Sequence, residues 1–132
     1  MIIKISSDKE KARSILQLTK EREDFVKSID HNKFSTNAVE NYYEIIKELA
    51  GALLLLDGLK SIGDYAHKDL IDYLINYREF QQKDIIFMND LRIKRNNSFY
   101  EGKKIDPIYL INNKDNLLNI IERLKKLVKS KI

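Results

Sequence analysis

The chain contains no cysteine, so disulfide scaffolds, thiolate zinc sites, iron–sulfur clusters and thiol nucleophiles are all excluded. It has one proline and four glycines in 132 residues. So few chain breakers favour long helices over a meander of short strands. Only two histidines occur, His31 and His67, and both fall in loops or caps far apart in sequence. That is short of the three or four spaced ligands a metal site needs, so no metal and no cofactor is expected. No glycine-rich phosphate loop and no Ser/His/Asp order can be read, which removes the usual hydrolase and nucleotide-kinase readings. The longest apolar run, Leu53 to Leu56 with Ala50 and Ala52 before it, is too short to span a bilayer. Met1 to Lys20 lacks a basic-then-apolar leader with a cleavage site. The expected location is therefore the cytoplasm, with no membrane partner.

What is present suits one soluble domain covering residues 1–132. Hydrophobic residues make up 43% and charged residues 33% of the chain, enough to build a core and too apolar for disorder. The net charge of +4 is modest but unevenly spread. Arg92, Lys94, Arg95, Lys103 and Lys104 stand against Glu101 alone, and Arg123, Lys125, Lys126, Lys129 and Lys131 against Glu122. Basic runs of this kind fit an anionic partner such as RNA or nucleotide phosphate. The second run also suits the C-terminal end of a helix with no partner at all.

Hydrophobic spacing predicts an all-α fold, an antiparallel up-down bundle of four to five helices. Met1 to Ile5 alternates and can be extended. Ser6, Ser7 and Asp8 offer N-caps, with Glu10 placed to reach back to Ser7. Ala12, Ile15, Leu16, Thr19, Phe25 and Ile29 then form one stripe of a helix that ends near Asp30. After the polar break His31 to Lys33, Ser35 and Thr36 are expected to cap a second helix. Its apolar face runs through Tyr42, Ile45, Leu49, Leu53 and Leu56 to a stop at Gly58. This helix is apolar nearly all round in its second half, which marks it as central; that middle and its small residues motivate a homodimer, with no element assigned as its seam. Ser61 to Ala66 reads as a loop, and His67 or Asp69 opens a short third helix. A fourth helix carries Ile85, Ile86, Met88, Leu91 and Arg95 and is expected to decay through Asn96, Asn97 and Ser98 towards Gly102. Asp106-Pro107 then starts the last helix.

The segment Arg95-Asn96-Asn97-Ser98-Phe99-Tyr100 stands out. Arg95 follows Leu91 and Met88 at helical spacing, so it falls on the inward face, where a cation needs a paired acid or a bound anion. Asn96 and Tyr100 share a face at i, i+4. Arg95 and Tyr100 point about 140° apart on an ideal helix, so they converge if the helix loosens before Gly102 or if two copies meet. The alternative to a functional role is that Arg95 pairs with an acid on a neighbouring helix and Tyr100 simply plugs the helix end.

Together these residues resemble the HEPN superfamily (higher eukaryotes and prokaryotes nucleotide-binding domains). Ala38 to Glu44, with Tyr42 and Tyr43 side by side, followed by Ala50-Gly51-Ala52 and Leu53 to Leu56, is similar to that family's double-tyrosine helix. His67 to Ile71 looks like its short third helix. Arg95, Asn96 and Tyr100 fall where the family carries an arginine, a polar neighbour and, four to six residues on, a histidine. The resemblance implies a helical bundle that dimerises so that two arginine segments flank one cleft. It also implies a nucleotidyltransferase partner in a toxin–antitoxin-type pair. Active members act on RNA with arginine and histidine and without metal. Here the histidine position reads Tyr100, Glu101 or Gly102, and tyrosine, with a pKa near 10, supplies little base at neutral pH.

Three functions follow from the sequence. The first is a module binding nucleotide or RNA phosphates through Arg92, Lys94, Arg95 and Asn96. The second is a metal-independent endoribonuclease toxin, with Arg95 as phosphate clamp and Tyr100 or Glu101 in place of the histidine. The third is a non-catalytic structural or interaction bundle.

Overall fold

The computed structural model describes all 132 residues. Five helices carry the fold: α1 (Lys9–Ser28), α2 (Ser35–Leu56), α3 (Ala66–Tyr73), α4 (Gln82–Glu101) and α5 (Pro107–Lys131). Two three-residue strands, β1 (Ile2–Lys4) and β2 (Leu59–Ser61), pair antiparallel with Ile3 opposite Lys60. The fold is the expected all-α bundle with this small ribbon added.

The central position of α2 follows from its composition. Tyr42, Tyr43, Ile45, Ile46, Leu49, Ala50, Ala52, Leu53 and Leu54 are all fully buried, so α2 is enclosed on nearly every side. It packs most extensively against α1 and α5, and also touches α3, α4 and β2. Its apolar second half is therefore largely consumed inside one chain.

Local details differ from the sequence reading for physical reasons. Of the three residues offered as N-caps, Asp8 is the one that caps α1, accepting a 2.9 Å hydrogen bond from the Lys11 amide. The inward residues of α1 are Ala12, Thr19, Glu23 and Val26, whose spacing of seven, four and three leaves Phe25 52% exposed. Glu23 tolerates burial because Lys125 of α5 reaches it at 3.2 Å. Ser35 and Thr36 do not cap α2. Ser35 Oγ donates to the Ile105 carbonyl and Thr36 Oγ1 accepts from the Ile105 amide, which ties the α4–α5 connection to the start of α2. The segment after α2 is not all loop, because Gly58, at φ +72°, turns the chain back so that β2 meets β1. A side chain at Gly58 would sit 3.0 Å from the Ile5 carbonyl. The short helix begins at Ala66, one residue before His67.

On α4 the buried positions are Ile85, Met88, Leu91 and Arg95, and Ile86, one residue off that stripe, is 61% exposed. The helix does not decay at Asn96 to Ser98. It runs to Glu101 and ends on Gly102 in the left-handed conformation at φ +69°. Ser98 Oγ lies 3.1 Å from a Glu40 carboxylate oxygen on α2 and 2.9 Å from the Arg95 carbonyl one turn back, sharing its one proton between them; the tertiary contact to Glu40 opposes the weak local propensity. At the other end of α4, Asp84 is buried against Arg123 of α5 in two 3.0 Å hydrogen bonds. Lys131 likewise pairs with Asp57 at 2.9 Å. The C-terminal basic run thus spends Arg123, Lys125 and Lys131 on tying helices together.

Candidate functional site

Arg95 is only 9% exposed, yet no acid neutralises it closely. Its nearest carboxylate, Glu44 of α2, lies 3.9 Å away and is already paired with Lys47 at 2.7 Å. Aromatic faces take the charge instead. The guanidinium carbon is 4.3 Å from the ring centre of Phe99, 5.6 Å from Tyr43 and 5.9 Å from Tyr100. Cation–π contacts of this kind hold a partly desolvated arginine at a reduced cost. Tyr43 is fully buried and its hydroxyl has no partner. Burial pushes its pKa up to about 12, against the opposing pull of Arg92 and Arg95.

In front of this cluster, an open cleft of about 330 Å³ lies between α4 and the start of α3. Arg92, Asn96 and Tyr100 form one wall, at i, i+4 and i+8 on α4, and the stretch from Gly63 to Lys68 forms the other. Tyr65 and Tyr100 stand at the rim, 73% and 70% exposed. Arg92 donates to the Asn89 side chain at 3.1 Å and has no ion-pair partner. Lys68 is tied to Asp72 at 2.5 Å. Asp64 is the one carboxylate in the lining. His67 borders the same cleft, and its pKa is lowered below the usual 6.5, first by burial and then by the positive charges of Lys47, Arg95 and Arg92, with Glu44 opposing. A neutral imidazole, a free guanidinium and two exposed rings thus share one opening. Nowhere in the chain do three His, Asp or Glu side chains converge as a metal ligand set.

The structure brings together Arg92, Asn96 and Tyr100, with Arg95 directly behind them. It separates Lys94, whose ammonium lies 5.0 Å over the Tyr109 ring and which faces a different hollow beside Lys103 and Lys104. Glu101 is exposed and pairs with Lys103 at 3.3 Å. The sequence reading missed Tyr65, His67 and Lys68. The available signal was an aromatic residue in a glycine-containing loop just before a short helix whose first turn carries His-Lys. The other histidine, His31, is engaged with the Val26 carbonyl at 2.6 Å and takes no part.

Comparison with protein-family models, with curated proteins and with solved structures yields no match. No helix is long and apolar enough to cross a membrane.

Proposed function

We propose that this chain is a HEPN-like helical module that holds RNA or nucleotide phosphates in the cleft between α3 and the C-terminal half of α4. One observation carries the reading: Arg92, a cation with no ion-pair partner, faces an opening rimmed by the exposed rings of Tyr65 and Tyr100, with Lys68 and His67 also in its lining. Cations follow a phosphate backbone, and exposed rings stack on unpaired bases. In this reading Arg92 is the phosphate contact and Asn96 an added donor. Arg95 works from behind, holding Tyr100 by its ring and adding positive potential. Lys94, Lys103 and Lys104 extend the basic surface around α4.

The proposed partners are a second copy and a nucleotidyltransferase in a toxin–antitoxin-type pair. For the second copy, α4 offers a seam. Ile86 and Ile93 lie seven residues apart and are 61% and 48% exposed, the spacing of a helix-on-helix contact. Two copies meeting there would set their clefts side by side.

His67 favours a second reading, a metal-independent endoribonuclease. It brings from α3 the imidazole that the arginine segment lacks. A neutral imidazole can take the ribose 2′-hydroxyl proton while Arg92 and Arg95 stabilise charge on the phosphate. Neither Tyr100 nor Glu101 is then needed as base.

Fluorescence anisotropy with a labelled single-stranded RNA tests the binding reading. Arg92→Ala and Tyr65→Ala are each expected to weaken binding about tenfold, and unchanged affinity in both contradicts the assignment. The same RNA incubated in EDTA separates the two readings: cleavage by the wild type that disappears in His67→Gln selects the nuclease.

A further inference from the structure

A second cavity, of about 300 Å³, lies on the other side of His67, where α1, α2, α3 and the β ribbon meet. Its walls are aliphatic, with Ile5, Ile15, Leu54, Leu55, Leu59 and Leu70 in the lining. Lys11, Lys47 and Lys60 stand among them and no carboxylate does. Lys47 is paired with Glu44, whereas Lys11 and Lys60 have no ion-pair partner.

Gly51 sits in this lining, inside α2 and one helical turn from Lys47. Glycine in a helix interior is less stable than alanine, so its presence calls for a reason. Internal packing gives none, because a Cβ built there meets nothing within 4 Å. The missing side chain keeps open a path to the helix backbone from the cavity.

We propose that this cavity binds a small anionic amphiphile, a medium-chain carboxylate, with its aliphatic body along Gly51, Ile15 and Leu59 and its carboxylate at Lys11 and Lys60. Apart from His67 the walls are aliphatic and offer little for a nucleobase to stack on, and the lysines suit an anionic head. The site is separate from the phosphate cleft and does not depend on that reading; Ala66 and His67 form the wall between them.

The probe is decanoate, titrated calorimetrically below its micelle concentration, beside octanoate and hexanoate. Saturable binding is expected to tighten by about fourfold per added methylene. Gly51→Ala is expected to raise the Tm by about 2–5 °C while weakening decanoate at least fivefold, two effects of opposite sense from one methyl group. Lys11→Gln with Lys60→Gln is expected to weaken decanoate at least fivefold without changing the chain-length dependence. Decanoate binding unchanged in Gly51→Ala, or no saturable binding at all, overturns the proposal. So does a sedimentation shift confined to Gly51→Ala, which would assign the cavity to a second copy of the chain. Sedimentation with phosphatidylglycerol vesicles in the absence of free decanoate binding would instead assign it to a membrane surface, and also overturns it.

Discussion

The Arg95 guanidinium stacks 4.3 Å from the centre of the Phe99 ring, one helical turn further along α4. This contact needs Arg95 and Phe99 at i, i+4, and therefore needs the helix to persist through Asn96, Asn97 and Ser98. It also decides what Arg95 can do. With Phe99, Tyr43 and Tyr100 around its guanidinium and 9% exposure, it organises a cleft more than it enters one.

A buried arginine that served mainly as an ion pair would leave an uncompensated acid when removed, at a cost of about 3–5 kcal/mol. Glu44 keeps Lys47, so Arg95→Met is expected to change stability by less than about 1.5 kcal/mol. RNA binding is expected to fall severalfold as Tyr100 loses its support. Urea unfolding and anisotropy on the same preparation check both.

Asp84 and Arg123 are the opposite case. Hydrogen bonds from Arg123 are the main cause of a carboxyl pKa below its usual 3.8, and Asp84 is 3% exposed. A carboxyl lowered in the folded state stabilises at pH values above its unfolded pKa, and that stability is lost as pH falls through the folded value. Asp84→Asn is expected to cost about 3 kcal/mol at pH 7, with the difference from wild type shrinking once the carboxyl is protonated. Urea unfolding at neutral and acid pH measures it.

His67 has a lowered pKa, chiefly from burial and then from the nearby cations. Its ring signals in an NMR titration are expected to show a midpoint below 6.5, and a bound phosphate is expected to raise it. If the chain cleaves RNA, the rate rises with pH through that midpoint and then levels, because the neutral ring is the base. A midpoint above 6.5 in the free protein would remove His67 from that role.

The α4 seam makes its own prediction. Ile86→Glu with Ile93→Glu alters two exposed residues, so stability is expected to stay within about 1 kcal/mol of wild type. Sedimentation is expected to show a dimer for wild type and a monomer for the double variant. A wild-type monomer at tens of micromolar contradicts the seam.

Much of the architecture was legible because long amphipathic helices announce themselves: the stripes containing Ala12, Leu49, Met88 and Leu117 all lie in the core. The ribbon was not, since strands as short as Ile2–Lys4 and Leu59–Ser61 are too brief to show an alternating pattern. The end of α4 was misread because Asn96 to Ser98 are poor helix formers, while contacts formed in the fold, such as that of Ser98 with Glu40, support their helical conformation. Within the cleft, Arg92, Asn96 and Tyr100 were visible as helical neighbours. Tyr65, His67 and Lys68 lie far from them in sequence and join them only through the packing of α3 on α4, which no local pattern encodes.

The most direct test of the phosphate cleft is the salt dependence of RNA binding in wild type and Arg92→Ala. Each phosphate contact on a single strand contributes about −0.7 to the slope of log K against log salt. The account predicts a negative slope for wild type and a slope shallower by about 0.7 in Arg92→Ala. Identical slopes and affinities in the two proteins would contradict it.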